Sequence, residues 1–285
     1  MMPLRLAEEP LSGLAIWSRR LAGFSLPVLL LAIIIIRSGL LEITPALATF
    51  GGALALAFAA IVLAAGAFVV IWKDGRKGLG HAVVAMLIGI AILAYPTFLA
   101  VRASRLPWLT DITTDPVDPP RFDTIARLRP RNANPIVYPG AAAAQLQRAA
   151  YPDIEPLQVS ANPQQAYEAA LAVITKHKWR VVDLRPPQPT GRREGVIEAV
   201  ARTPIMGFRD DVVVRIRFDN EGSRVDIRSA SRYGRTDFGT NASRIRRLLS
   251  DIDDSAGSED EAAKKPAKPA KPEPAPAKPQ ARVRR

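Results

Sequence analysis

The richest collection of chemically useful side chains lies in RSASRYGRTDFGTNASRIRRLL, residues 228–249. Guanidinium, hydroxyl, carboxylate and amide groups stand there between a strand-like run and an amphipathic helix. Two arginines and two serines beside a helix N-terminus predict an anion site, suited to a phosphate, a carboxylate or an acidic lipid head group. The candidate binding residues are Arg228, Ser229, Ser231, Arg232 and Asn241.

Three aspartates complete this polar corner and offer a purely structural interpretation. Asp210 and Asp211 open the preceding strand, and Asp237 precedes the final helix, where it is expected to accept hydrogen bonds from free backbone N–H groups. If the two strands pair in antiparallel fashion, Arg228 and Arg232 come near Asp210 and Asp211. Arginine–carboxylate pairs would then join the two turns without any ligand.

The same aspartates also allow a carboxylate metal site or an acid/base site. However, adjacent residues of a strand point to opposite faces, so Asp210 and Asp211 cannot act as a simple pair. The chain has no cysteine, which excludes disulfides, thiol catalysis and cysteine metal ligands. His177 and His81 are expected on opposite sides of a membrane. We therefore predict no catalytic residue, metal or cofactor, with a hydrolase at the corner as the alternative.

A helix, four antiparallel strands and a second helix are predicted to position the corner. ANPQQAYEAALAVITKHKW has Asn162 as N-cap, Pro163 at the first helical position and Gln165 two residues later. The final helix is expected to begin near Asp237. The fold class is α+β, with the soluble domain over 162–253. The predicted strands are Arg180–Leu184, Gly195–Ala201, Asp211–Phe218 and Arg224–Ser229.

The third strand alternates clearly between a wholly apolar face and a mainly charged face, on which Val213 is the apolar exception. Val212, Val214 and Ile216 point to one face, whereas Asp211 and Arg215 point to the other. We expect helices on the apolar face and cross-strand Arg/Asp pairs on a solvent-exposed second face.

A proline-rich segment, residues 102–161, precedes this domain and is predicted to be an extended strap lying on it. Short helices are expected within the strap at Arg121–Leu128 and Ala141–Ala150.

Two separated motifs carry a family resemblance. GFRDDVVVRI, residues 207–216, followed by RSASRYGRTDFGTNASRI, residues 228–245, resembles the domain of unknown function 1499 family. The resemblance covers roughly Asp115 to Leu249. That family occurs in bacteria and in chloroplast-bearing organisms, and its activity is not established. The resemblance therefore implies a domain boundary and no reaction. Some members carry a cysteine early in the domain, and its role cannot carry over to this chain.

Three apolar runs, about 21–41, 45–72 and 82–101, are predicted to cross a membrane. The second and third are uncharged, and the first contains one charged residue, Arg37, near its end, where the side chain can reach the membrane surface. Basic residues cluster in the N-terminal segment, 1–20, and in the KDGRKGLG loop between the second and third runs. Both are therefore expected in the cytoplasm. The region after Val101 then lies in the periplasm, at the outer side of a bacterial inner membrane.

A ridge of alanines on the second span allows close helix packing. It serves either the neighbouring spans or a membrane partner or dimer. The five residues are Ala53, Ala57, Ala60, Ala64 and Ala67.

The formal net charge of +12 comes mainly from the Lys/Pro/Ala tail, which is part of the predicted disordered segment 254–285. Such a tail can contact an anionic surface. No basic helix or aromatic–basic motif accompanies it, so nucleic acid is not an expected partner. Membrane lipid is. The sequence thus predicts a membrane-anchored, non-enzymatic binding or scaffolding domain.

Overall fold

A computed structural model describes residues 9–188, 194–220 and 222–264, with side chains up to residue 257. Three long apolar helices come first: α1 (Gly13–Ser38), α2 (Ile43–Asp74) and α3 (Leu79–Ala103). Their most apolar segments have mean hydropathies of 2.2, 2.8 and 2.3, and each helix is long enough to cross a membrane. Each predicted span falls mainly within one of these helices, which indicates a membrane protein.

The three helices pack against one another through small residues. All five alanines of the α2 ridge have no exposed surface, and three of them form one cluster with alanines of α1 and α3. At Gly89 of α3, an added Cβ would lie 2.5 Å from the Ile61 side chain, so α3 approaches α2 very closely. The alanine ridge therefore serves packing within the chain's own bundle.

The soluble part contains six strands and four helices among the described residues. Helix α6 begins as expected, because Asn162 accepts from the N–H groups of Gln164 and Gln165 while the Gln165 side chain accepts from the Asn162 N–H. The elements are β1 (Asp111–Thr113), α4 (Thr124–Leu128), α5 (Ala141–Ala150), β2 (Leu157–Val159), α6 (Pro163–Lys176), β3 (Arg180–Arg185), β4 (Gly195–Arg202), β5 (Arg209–Asp219), β6 (Gly222–Ser231) and α7 (Thr240–Lys264).

The prediction of a four-stranded sheet was wrong, because the antiparallel sheet has six strands. Strands β3 to β6 form the expected meander, and the strap adds β1 and β2. Both pair with β6, with Asp111 opposite Ala230 and Leu157 opposite Val225. Each added strand has three residues, which is too short to show an alternating pattern. The strap thus closes the open edge of β6.

Apolar side chains fill both sides of the sheet. Helices α6 and α7 cover one face, where Val212, Val214 and Ile216 of β5 join the main core. On the other face a second cluster forms around Phe122 and Ile125 of the strap.

This second face is not exposed to solvent, contrary to the sequence expectation. Asp211 and Asp226 have no exposed surface, and Arg215 is 5% exposed. The strap passes over them, and its own aspartates accept from the sheet's arginines: Asp115 from Arg224, at 2.7 Å. The Arg215–Asp226 pair is therefore a buried ionic contact, and Arg217 and Arg224 are half-buried, because the strap supplies a second layer.

The final helix starts and ends later than the sequence indicated. It begins at Thr240 because Phe238 and Gly239 adopt φ angles of 53° and 75°, outside the helical region. It continues to Lys264, past the expected start of the tail at residue 254. Most of the predicted basic tail, residues 265–285, lies outside the described residues, as does the start of the N-terminal segment.

Candidate functional site

Arg228 of the polar corner binds a residue that the sequence did not suggest. Its guanidinium donates to both carboxylate oxygens of Asp111 in β1, at 2.9 and 2.6 Å, and not to Asp210 or Asp211. It also lies over the ring of Phe122, 4.8 Å from the centroid. Further bonds go to the carbonyl oxygens of Pro120 and Ile136. Four N–H···O bonds leave this group little capacity for a ligand.

Arg232 does pair with one of the expected aspartates. Its Nε and Nη2 atoms donate to Oδ1 of Asp211 at 2.9 and 2.7 Å. Arg129 of the strap donates to Oδ2 of the same carboxylate at 2.6 Å. Two guanidinium groups therefore share one carboxylate, which leaves an excess of positive charge beneath the strap.

Asp210 points to the opposite face from Asp211, as strand geometry requires. It accepts from Nη2 of Arg244 in α7 at 2.5 Å. Burial raises the pKa of Asp210, although the adjacent Arg244 guanidinium opposes that shift. The same Arg244 donates to Ser229, and Asn241 connects Ser229 to Ser231 through bonds of 2.8 and 3.0 Å.

Asp237 caps the final helix. Its carboxylate oxygens accept from the N–H groups of Gly239 and Asn241 at 2.9 and 2.8 Å. Burial raises the pKa of Asp237 above its ordinary value, and the two N–H donors oppose this shift only in part.

The side chains of the corner are thus engaged in internal hydrogen bonds. The eight residues named from the sequence fall into three separate groups, around Asp111, Asp211 and Asp210. His177 lies outside them: its Nε2 is 2.7 Å from Asp251 Oδ2, and its ring stacks on Trp179. Within the described residues no group of three or more acidic or histidine side chains is arranged to hold a metal ion.

A different surface is open beside the corner, where the domain rests on the helices. Arg37, near the end of α1, donates to the carbonyl oxygens of Pro204 and Ile205 at 2.7 and 2.9 Å. The loop between β4 and β5 is therefore attached to the end of the bundle.

Beside this attachment lies a cavity of about 760 Å³, which we call the junction cavity. One wall is apolar and comes from the three helices, with Leu29, Phe50 and Ile92 among its residues. The other wall comes from the domain and includes Arg209 and Arg235. Further domain residues on that wall are Thr203, Ile205, Met206, Phe208, Asp210, Ser231, Tyr233, Gly234, Thr236, Asp237, Phe238 and Thr240.

A second opening of about 440 Å³, the basic recess, lies next to it under the α1–α2 connection. Phe208, Arg209 and Tyr233 line both spaces. The recess also includes Arg131 of the strap and Arg232.

Sequence reasoning missed Asp111, Arg129, Arg209 and Arg244. Arg209 lies within the GFRDDVVVRI motif, directly before Asp210 and Asp211. The only signal for it was its place at the start of a strand, after a glycine turn. Asp111 and Arg129 lie in the strap, where no periodic pattern marks their partners.

The protein is thus an α+β domain with a six-stranded antiparallel sheet, anchored by three apolar helices. A family profile described as "Protein of unknown function (DUF1499)" matches residues 111–252. The chain from residue 111 to residue 252 belongs to that family, and the match begins at Asp111 of β1. No curated protein and no solved structure matches the chain significantly.

Proposed function

We propose that this protein is a membrane-anchored binding protein that takes up a membrane amphiphile in the junction cavity. The observation that carries the proposal is the composition of the two walls, apolar on the helix side and partly polar on the domain side. An amphiphile can place its acyl chain against the helices while its polar part faces the domain. The cavity volume falls in the range of small-molecule sites, about 300–1,000 Å³.

A strained backbone residue on the cavity wall supports a binding role. Phe238 has a φ of 53°, which is unusual for a bulky side chain. Residues held in such conformations cluster at ligand-binding sites, where the surrounding structure stabilises them. The residues on either side of Phe238 are joined by a hydrogen bond from the Gly239 N–H to the Asp237 carboxylate, at 2.9 Å.

The distribution of basic residues supports an outer-side location for the domain, in the periplasm of a bacterium. Lys73 lies in the last turn of α2, and Arg76 and Lys77 follow that helix, at the bundle end remote from the domain. Arg19 and Arg20 lie near the start of α1. Basic residues mark the cytoplasmic side of membrane helices. The opposite end, with Arg37 and Arg102, then faces outward together with the domain.

Filling the cavity tests the proposal. Ala91 lines the cavity, and Ala94, one turn further along α3, does not; both are exposed. We expect native mass spectrometry of the full-length protein in mild detergent to show about one bound lipid per chain. Ala91→Trp should lose this lipid, whereas the matched control Ala94→Trp should keep it. Retention of the lipid by Ala91→Trp would contradict the proposal.

A further inference from the structure

Arg209 connects the two open spaces at the junction. It is the first residue of β5, and it lines both the junction cavity and the basic recess. A head group in the recess and a chain in the cavity would therefore meet at this side chain.

The Arg209 guanidinium has no carboxylate partner among the described residues. The corner arginines differ in this respect, because Arg228, Arg232 and Arg244 each have an aspartate within 3 Å. Arg209 lies instead against Gly39, which follows α1: a Cβ added there would be 2.6 Å from its Nη2 atom. Gly39 has a φ of 66°, so the connection both turns sharply and leaves room for the guanidinium.

Positive charge prevails around the basic recess. Arg131 also lines it and has no ion pair with a described residue, while Arg232 shares Asp211 with Arg129. The Nη2 atom of Arg129 is buried and has no hydrogen-bond partner.

Among the described residues that line the recess, only Glu42 is acidic. Burial, and then the neighbouring Arg202 guanidinium, lower the pKa of Arg209, which stays protonated at neutral pH. An anion placed here would relieve the repulsion between these cations.

We infer that the basic recess binds the phosphate-containing head group of a lipid with a net negative charge, whose acyl chain occupies the junction cavity, with Arg209 as the principal contact and Arg131 as the second. The inference rests on the proposed function and adds the chemistry of the head group. Guanidinium groups match phosphate oxygens in geometry, and such charge-assisted bonds are stronger than those between neutral groups.

The test compares two phospholipids with identical acyl chains. Phosphatidylglycerol has a net negative head group, and phosphatidylcholine carries a compensating ammonium. Full-length protein is offered an equimolar mixture, and native mass spectrometry measures the ratio of bound lipids. We expect a preference of about tenfold for phosphatidylglycerol, equivalent to ~1.4 kcal/mol. Arg209→Gln should bring the ratio close to one.

Arg127→Gln is the matched control, since Arg127 is an exposed strap arginine without an ion pair among described residues that lines neither space. It should keep the tenfold ratio, although it removes the same charge. Equal loss in both variants would overturn the inference, because general surface charge would then explain the preference.

Two further outcomes separate this inference from the proposed function. If the wild type binds both lipids equally and Ala91→Trp abolishes binding, the cavity proposal stands and the head-group inference fails. If Ala91→Trp changes nothing, the cavity proposal itself fails.

A soluble source of the anion is tested with inorganic phosphate and lipid-depleted protein. We expect no rise in thermal stability at millimolar phosphate, because a free anion lacks the chain. A rise in the wild type that Arg209→Gln abolishes would overturn the lipid assignment in favour of a soluble anion.

Discussion

Asp111 and Arg228 lie 117 residues apart in the chain and are joined by hydrogen bonds of 2.9 and 2.6 Å. Asp111 begins the short strand β1 of the strap, and Arg228 lies near the end of β6, both of them buried. The pair therefore fastens the strap to the sheet at the point where the family match begins.

Arg228→Ala should destabilise the protein strongly. The change leaves the Asp111 carboxylate buried without its partner, which costs about 3–5 kcal/mol when a pair is deeply buried. Urea unfolding of the full-length protein in detergent, followed by near-ultraviolet circular dichroism, measures the loss. Adding Asp111→Asn should recover part of it, because the unpaired charge disappears.

The control for this variant is Arg247→Ala. Arg247 is exposed on α7, and its guanidinium bonds to the carbonyl oxygen of Ser243 in the same helix. A surface change of this kind stays within about 0.5 kcal/mol. Similar losses in the two variants would show that the Asp111–Arg228 pair has no special importance.

Asp115→Asn should make stability less dependent on pH in the acidic range. Burial opposes ionisation of Asp115, but the Asp118 N–H and the Arg224 guanidinium outweigh it and lower its pKa. The ionised group therefore stabilises the folded state above the ordinary value of 3.8, and this contribution is lost as the pH falls through the lowered pKa.

The measurement is the difference in melting temperature between the wild type and Asp115→Asn at pH 7 and at pH 3. We expect the wild type to be the more stable at pH 7, with a smaller difference at pH 3. A difference that stays constant or grows on acidification would contradict the assigned direction.

Asp237→Ala should lower the free energy of unfolding by about 1 kcal/mol, the usual effect of losing a helix cap. Both carboxylate oxygens accept N–H groups at the start of α7, and alanine offers no acceptor. Asp237→Asn keeps one carbonyl acceptor and should lose less. Unchanged denaturation midpoints for both variants would mean that the cap contributes nothing measurable.

The orientation of the chain can be tested by fusion proteins in bacterial cells. Alkaline phosphatase joined to the C-terminus should be active, since it folds outside the cytoplasm, and a green fluorescent protein at the same position should be dark. The inverse pattern would place the domain in the cytoplasm and remove the proposed periplasmic location.

Much of the fold followed from local patterns. The capping residues of α6 and the alternation in β5 fix elements through contacts between near neighbours, and long apolar runs marked the three helices. The strap strands β1 and β2 could not be predicted from local patterns. Three residues pairing with β6 carry no period, and the pairing of Asp111 with Arg228 depends on how a long proline-rich segment crosses the sheet.

The candidate site was predictable only in part. The Asp237 cap and the Arg232–Asp211 pair follow from strand and helix geometry around one turn. The junction cavity cannot be predicted from such local geometry, because it arises from the placement of the domain on the helix bundle. Arg37 and the loop carbonyl oxygens that it binds lie far apart in the sequence, and neither has a distinctive motif.

The attachment through Arg37 has a practical consequence for work on this protein. A water-soluble fragment starting after α3 would keep its sheet but lose the entire apolar wall of the junction cavity, together with Gly39 and the α1–α2 connection. Ligand screens on such a truncated fragment would lack the helix side of the proposed binding site. The proposal is therefore tested only with preparations that retain the three helices.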